Sequence, residues 1–567
     1  MIQKRWNILS HDRPAASRLA SALNILPLTA AILISRGYDT EEKAYEFLNP
    51  HSGQLHDPML LKGMDEAVER VLAAVERKER ILIWGDYDVD GTTGTVVLRN
   101  VLKLLGGETE FHIPNRFTEG YGINIPALLE ARERGCSLAI SVDCGTRSFE
   151  PLAWARENGL DFIVTDHHLS DEQRGNPPAV AVVNPNQPGC GYPERTLAGV
   201  GVAYKLAQAL LRTRGREDAA DSFLKIAAIG TVADMMSLVG ENRAIVSLGL
   251  KDITDTRNYG LKALMEVADC RSDMTSYHIG FRIAPRINAA GRMDVARHVV
   301  ELFECDEFNE ARRLAEVLNS RNRERQQIQQ EITDLALLDA GMAEGVKFVV
   351  VSGEGWHRGV IGLAASRIAE RLCRPTVVLS VENGTAHGSA RSIGSYHLLN
   401  ALETCSDLFE AFGGHAAAAG MRLQSANIDA LKERLHLHAD RLLTDTDLIP
   451  SVDIDAHVSS TTLSLATLED ISRLEPFGIG NRKPVFVTKG LQLRFEPTVM
   501  KDKHLKLYLQ DLNGRRFEAV WWDGVEKGKG RTLKVGSSIE LAYTPEANNW
   551  NGNTKLQLVV EDLREHN

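Results

Sequence analysis

The 567-residue chain has no two cysteines at CxxC spacing, and its seven (Cys136, Cys144, Cys190, Cys270, Cys305, Cys373 and Cys405) are scattered and odd in number. That pattern excludes a thiolate-bound structural zinc, argues against a disulfide framework, and suits reduced thiols. No stretch approaches the roughly 18 apolar residues of a membrane span. The opening MIQKRWNILSHDRP lacks the apolar run of a secretory signal. These absences lead to the expectation of a cytoplasmic chain with no membrane partner. A surplus of basic residues is also missing: 65 Lys and Arg stand against 76 Asp and Glu, a formal net charge of −11. An acidic total counts against a nucleic-acid surface spread over the whole chain. It says little if carboxylates concentrate at one cation-holding site. Apolar residues (43%) and charged residues (25%) are in ordinary proportion, which permits several packed cores and gives no argument for disorder, and the length leads to an expectation of about three to four domains.

Residues 1–75 read as short helices ending in the amphipathic DEAVERVLAAVERKER. In residues 76–303 the apolar runs ILIWG (81–85), ETEFHIP (108–114), LAISVD (138–143), DFIVTD (161–166) and AVAVVN (179–184) alternate with helical periodicity. That alternation predicts an α/β region with a mostly parallel sheet. Residues 304–345 are rich in helix formers and read as a long connecting helix. Its polar, Arg-rich middle suits a solvent-crossing connector or a nucleic-acid surface. A second α/β region spans 346–445. From 450 to 567 strong hairpins, one turning at Asn513–Gly514, predict a small β-barrel.

The sharpest local feature is Gly85-Asp86-Tyr87-Asp88-Val89-Asp90-Gly91. Three alternating carboxylates open an EF-hand loop in the same way, but its twelfth position requires a bidentate Glu and here is Val97. In an open parallel sheet, ligands gather beyond the carboxyl ends of the strands. Asp86 follows the first strand, Asp143 ends the third and Asp166-His167-His168 ends the fourth, so all face one rim. Asp234, in IAAIGTVADMMSL, joins them if its helix packs there. Two like charges about 4 Å apart repel by about 4 kcal/mol at an effective dielectric near 20, and cations relieve that repulsion. Carboxylates mixed with imidazole suit Mn²⁺ or Mg²⁺, and a pair of ions roughly 3.5–4 Å apart would clamp one phosphate.

The ordered series GDYDVDGTTG, PNRFTEGYG, SVDCGT, TDHH and GTVAD, followed by PRINAAGRMD, GWHRGVIGLAASR, GSARSI and FGGHAAAAG, resembles the DHH phosphoesterase superfamily, and within it the single-strand-specific 5′→3′ DNA exonucleases. The resemblance covers essentially the whole chain. It implies a DHH catalytic domain at 76–303, a DHH-associated domain at 346–445 and an OB-type barrel at 450–567. It implies that Asp86, Asp88, Asp90, Asp143, His167 and Asp234 hold two ions, Mn²⁺ or Mg²⁺, without deciding which of Asp86, Asp88 and Asp90 are direct ligands. Asp143, His167 and His168 are the implied catalytic residues. His168 either contacts or protonates the scissile phosphate group or orients His167, and the first role is preferred. Val89 stands where the family often has Ala.

For end recognition, Ser389, Arg391 and Ser392 suit a terminal 5′ phosphate, because Arg offers bidentate contacts. Asn115, Arg116, Arg286 and Asn288 are candidates for neighbouring phosphates. Gly413 and Gly414 permit close approach of a strand, with His415 beside them. His357 and Gly359 sit where a helix start would bind an anion. In the barrel, Tyr508, Trp521 and Trp522 are candidates for base stacking, although core packing accounts for at least one of the adjacent tryptophans. The implied partners are single-stranded DNA, single-strand-binding protein and a DNA helicase. A relative acting on short oligonucleotides or cyclic dinucleotides would lack the barrel. A non-catalytic binding protein would not need intact Asp143, His167 and His168.

Overall fold

The computed structural model describes residues 4–566 except 117, 121, 271, 294–295, 342–344, 529–532 and 551. Phe117 and Tyr121 of PNRFTEGYG and Asp294 of PRINAAGRMD therefore lie outside the described residues. The chain forms two compact units, Glu42–Arg323 with Leu474–Lys483, and Met1–Glu41 with Glu324–Arg473 and Pro484–Asn567.

In the first unit five strands, β1 (Arg80–Gly85), β2 (Glu108–His112), β3 (Cys136–Val142), β4 (Asp161–Thr165) and β5 (Ala181–Val183), form a wholly parallel sheet in the order β2-β1-β3-β4-β5. Its inner strands read as nearly unbroken apolar runs because both faces are covered, whereas the edge strand β2 is ETEFH and only partly buried. Ile81, Ile83, Ile140 and Val142 enter one core, while Leu82, Trp84, Phe162 and Val164 enter the other. Chain order reverses between β1 and β3, leaving a crevice at their carboxyl ends.

Three helices flank that crevice: α1 (Val89–Leu104), α2 (Gly199–Thr213) and α3 (Leu224–Ala233). Gly94 lets α1 lie against the sheet, since a Cβ there would meet Val142 at 2.5 Å. A buried ion pair fixes α2: Lys205 Nζ lies 2.5 Å from Glu241 Oε1, and neither side chain is exposed. Lys205 also donates to the His56 carbonyl at 2.6 Å, and Tyr192 OH donates to Glu241 at 2.7 Å. Further along, α4 (Ala284–Arg292) packs Gly291 onto the Tyr87 carbonyl, which a Cβ would strike at 2.3 Å. The 34-residue α5 (Phe308–Gly341) follows, and the chain passes from one unit to the other between Arg323 and Glu324. Its polar middle is not wholly solvated as the sequence suggested. Asn319 and Asn322 are buried, and Asn319 accepts a hydrogen bond from Arg286 Nε at 3.1 Å.

The second unit contains a mixed sheet of β6 (Val349–Glu354), β7 (Thr376–Glu382), β8 (Thr385–Arg391), β9 (Phe409–Gly414) and β10 (Ala418–Gln424), ordered β9-β10-β8-β7-β6. Helix α6 (Ile361–Leu372) covers one face. Beyond it, pairing of Phe486–Leu493 with both Ser538–Trp550 and His504–Gln510 closes a β-barrel. The hairpin at Asn513–Gly514 is fixed by Asp511, whose carboxylate accepts from the Asn513 and Arg515 amides. The amino terminus departs from the purely helical expectation: Arg5–Ile8 is a strand paired in parallel with Ser451–Ile454. Four residues whose partners lie in a distant part of the sequence leave no local signature.

Removing one partner of a buried ion pair strands the other charge, so Lys205→Met should cost about 3–5 kcal/mol. Urea unfolding measures it, and a loss under about 1 kcal/mol would mean that the pair does not pin α2.

Candidate active site

Asp86, Asp143 and Asp166 are the first residues beyond β1, β3 and β4, three adjacent strands. Each continues the ladder by one bond: Asp86 N–H to Val142 O (3.3 Å), Asp143 N–H to Thr165 O (3.0 Å) and Asp166 N–H to Val183 O (3.2 Å). Strands lie about 4.8 Å apart, so the register itself crowds three carboxylates. Asp143 turns in the left-handed region at φ 61°, a conformation disfavoured for a side-chain-bearing residue and held here by its surroundings.

The neighbouring helices complete the cluster. Asp88 caps α1, accepting from the Gly91 amide at 3.0 Å, and Gly91 must lack a side chain because a Cβ would lie 2.5 Å from Asp86 N. Asp90 is buried with both oxygens on the start of α2, accepting from Gly199 N–H at 2.6 Å and Val200 N–H at 2.7 Å. These are the free amides of a helix amino terminus, which favour the charged form of the carboxyl and offset part of the cost of its burial. Gly199 is required there, since a Cβ would meet Asp143 Cβ at 2.6 Å. Asp234 is the carboxyl cap of α3.

His167 faces these groups. Its Nε2 lies 3.1 Å from Asp143 Oδ1, 3.7 Å from Asp234 Oδ2 and 3.8 Å from Asp90 Oδ2, while the Leu197 backbone bonds its ring. Burial, with the neighbouring His168, brings its imidazole down to about 4, so it is neutral, as a metal ligand must be. Donor atoms of Asp86–Asp88–Asp143, of Asp90–His167–Asp234 and of Asp143–His167–His168 fall into groups within 4.8 Å. Asp86 Oδ1, Asp143 Oδ1 and Asp234 Oδ2 are buried and accept no hydrogen bond. Burial and repulsion from Asp88 push the Asp86 carboxyl up to about 8 and Asp234 up to about 7. Burial and the neighbouring carboxylates hold Asp90 and Asp143 well above the ordinary range. Hard oxygen donors with an imidazole, crowded together and with three oxygens unbonded, fit Mn²⁺ or Mg²⁺.

His168 is placed differently. Its Nδ1 bonds Asp166 Oδ1 at 2.8 Å, and its ring is half exposed. Burial alone would lower its pKa, but the hydrogen bond and charge of Asp166, with Asp234 and Asp86, hold it above the ordinary value. Asp166, an unassigned neighbour in the sequence reading, accepts from the Thr146, His167 and His168 amides as well. Against the pull of burial, the bonds from His168 and Thr146 hold it well below the usual carboxylate range. Asn184, wholly buried, donates to the His168 carbonyl and Thr146 Oγ1, both at 2.9 Å, and Asn186 donates to the His167 carbonyl at 2.6 Å. Their signal in the sequence was the polar pair in NPN just after β5.

The remaining candidates separate by what their side chains already do. Asn115 accepts from the Thr118 amide at 3.2 Å and shapes its loop, whereas Arg116 is exposed with its guanidinium over Tyr87 at 5.2 Å. Arg286 donates to Asn319 and to the Arg282 and Val267 carbonyls, and Asn288 is half buried on α4. In the second unit Gly413, Gly420, Ser389 and Val378 lie in register across β9, β10, β8 and β7. The glycines leave an exposed lane beside Ser389 and Arg391, whose Nη1 donates to Ser389 Oγ at 3.1 Å. Gly362 at the start of α6 sits against both, a Cβ there lying 2.9 Å from Ser389 Oγ and 3.3 Å from Arg391 Nη2. His415, exposed, closes the β9–β10 turn through its amide, and Gly414 just before it takes φ 153°. Ser392 spends its hydroxyl on the Tyr396 carbonyl at 2.6 Å. His357 Nδ1 accepts from the Gly359 amide at 3.2 Å. In the barrel Trp521 is core, whereas Trp522 is half exposed beside His504, and Tyr508 packs edge-on to Phe495.

Family models match three segments: DHH family, N-terminal domain, over residues 80–231; DHHA1 domain over 345–438; and RecJ OB domain over 454–562. The single-stranded-DNA-specific exonuclease RecJ of Bacillus subtilis (strain 168) is 38% identical over 564 residues, 98% of this chain and 70% of the relative. The chain belongs to the RecJ family. RecJ of Dickeya dadantii (strain 3937) is 35% identical over 535 residues, 90% of this chain and 92% of that one. The crystal structure of RecJ in complex with Mn²⁺ from Thermus thermophilus matches with a TM-score of 0.85 at 31% identity, covering 99% of this chain and 80% of that one. The Mg²⁺ complex of RecJ from the same organism matches at 0.79 and 29% identity, covering 99% of this chain and 79% of that one. The RecJ fold is thus shared, with DHH and DHHA1 domains and an OB barrel, and RecJ relatives bind the two cations that suit this chain's donors.

In metal-free protein the raised carboxyls stay protonated when folded and lose their protons when unfolded. Their stabilising contribution is therefore full below about pH 4 and lost as pH rises toward about 8. Cations bind the deprotonated form. The gain in Tm on adding Mn²⁺ to chelator-treated protein should therefore be larger near pH 8 than near pH 5.5. Differential scanning fluorimetry measures it, and equal gains would contradict the carboxylate assignment.

Proposed function

We propose that this chain is a single-strand-specific DNA exonuclease that hydrolyses the terminal phosphodiester from the 5′ end, using two divalent ions and releasing 5′ mononucleotides. The observation that carries this reading is the convergence of Asp86, Asp88, Asp90, Asp143, His167 and Asp234 on one rim with three buried oxygens unbonded. Asp86, Asp88 and Asp143 would hold one ion, and Asp90, His167 and Asp234 the other. Asp90 already has both oxygens on the α2 amides, which leaves Asp86 the freer ligand. Bound there, Mn²⁺ or Mg²⁺ supplies charge to the phosphoryl oxygens and makes water more acidic.

The chain's own groups do the rest. His168, whose hold on a proton Asp166 strengthens, would offer a hydrogen-bond donor to the scissile phosphate group and a proton to the departing 3′ oxygen. This arrangement supports a catalytic role over one in orienting His167, because its Nδ1 bond runs to Asp166. Cleavage on the 3′ side of the terminal nucleotide leaves a new 5′ phosphate on the shortened strand. Ser389 and Arg391 beside the glycine lane suit that group, so each cycle recreates the end that is recognised. Trp522 and Tyr508 suit sequence-independent stacking of single-stranded bases. The family names support DNA as substrate. With it go a role in repair and recombination, a cytoplasmic location, and cooperation with single-strand-binding protein and a DNA helicase. Among the described residues, no single helix is long and apolar enough to cross a membrane.

With 5′- and 3′-labelled single strands and duplexes, metal-dependent early release of 5′ label from single strands alone is expected. Early release of 3′ label would overturn the polarity. His168→Ala should slow turnover by about 10²–10⁴-fold while leaving Mn²⁺ binding intact, whereas Asp143→Ala should abolish both. An Asp143→Ala enzyme with full turnover would remove the basis of the reading.

A further inference from the structure

The segment Leu474–Lys483 belongs with residues Glu42–Arg323, although the chain on either side of it belongs to the other unit. Its sequence, LEPFGIGNRK, is a compact strap. Asn481, fully buried, donates Nδ2 to the Leu474 carbonyl at 2.8 Å and the Pro476 carbonyl at 2.9 Å. Gly478 and Asn481 exchange backbone bonds. Arg243, also buried, spreads its guanidinium over the carbonyls of Leu474, Glu475 and Pro476, with its Nε on the Phe47 carbonyl and its Cζ 3.7 Å from the centroid of the Phe47 ring. Nothing in the nuclease mechanism uses this anchorage.

The strap grips the loop from Asp234 to Val239. The Leu238 amide donates to the Ile479 carbonyl at 2.7 Å. A Cβ on Gly478 would meet Leu238 at 2.6 Å, and one on Gly480 would meet Ser237 Oγ at 2.2 Å. Gly480 is moreover left-handed at φ 74°. Ser276 Oγ donates to the Phe477 carbonyl at 2.5 Å from a second side. Asp234 itself, at the end of α3 and followed by left-handed Met235 (φ 57°), makes no side-chain hydrogen bond through its buried Oδ2. Its backbone is held from one side by α3, through its own amide on the Gly230 carbonyl at 2.9 Å and the Met235 and Met236 amides on the Val232 and Thr231 carbonyls, and the loop that follows is held from the other side by the strap.

We propose that the strap, chiefly through Gly480, Gly478 and the Arg243–Asn481 anchorage, is the positioning element for Asp234 in the metal centre. This rests on the two-ion reading above. A residue that orients a ligand without touching the ion typically changes metal affinity by about 10–100-fold. Gly480→Ala should therefore weaken Mn²⁺ binding, measured by titration calorimetry on the full chain, by about tenfold or more. Ser237→Ala, which removes the oxygen in the way, should recover part of the loss. In an Asp234→Ala background Gly480→Ala should add nothing, because two changes that act through one ligand are coupled and do not add. A folded Gly480→Ala protein with unaltered Mn²⁺ affinity, or one showing the same loss with and without Asp234, overturns the proposal. If Asp234→Ala alone leaves Mn²⁺ binding unaltered, the metal-centre reading itself falls. Should Gly480→Ala not fold, Ser276→Ala, which removes only the bond to Phe477, is read in the same titration against the same outcomes.

Discussion

The energetic constraint on this molecule is repulsion between carboxylates taken out of water. Asp86, Asp90, Asp143 and Asp234 are each pushed toward their neutral form by burial and by neighbouring carboxylates, Asp88 in every case, so the fold has to hold them together against their own electrostatics. It does so with backbone. The parallel register sets Asp86 and Asp143 on neighbouring strands, the first amides of α2 bind both oxygens of Asp90, and glycines at 91, 199 and 291 remove the atoms that would keep the elements apart. Stability elsewhere, including the Lys205–Glu241 pair, serves the placement of the helices around the crevice.

Much of this was legible in the sequence. Short apolar runs alternating with helical periodicity specify a parallel sheet, and a parallel sheet specifies that residues ending its strands share a rim. That argument placed Asp86, Asp143 and His167 together without coordinates. The different surroundings of the two histidines were less accessible. They depend on Asp166, which looks like one more acidic residue until its four donors are counted. Gly199 was missed for a similar reason: a glycine in LAGVGVAYK signals nothing until the neighbouring Asp143 is seen against it.

Long-range pairings were the least readable. The Arg5–Ile8 strand and the Leu474–Lys483 strap are each defined by partners hundreds of positions away, and neither carries a periodicity of its own. The adjacent tryptophans illustrate the converse case. Alternation along a strand required one to point inward, and Trp521 is buried while Trp522 is half exposed. Arg286 and Ser392, chosen for their chemistry, already bond protein oxygens, a fact that residue type cannot convey.

The groups that meet at the rim are dispersed along the polypeptide from Asp86 to Asp234. No contiguous fragment short of Asp234 contains the full donor set, and the register that unites the donors exists only once the sheet has closed. The cluster is therefore a property of the completed tertiary structure, and no shorter piece of the polypeptide reproduces it.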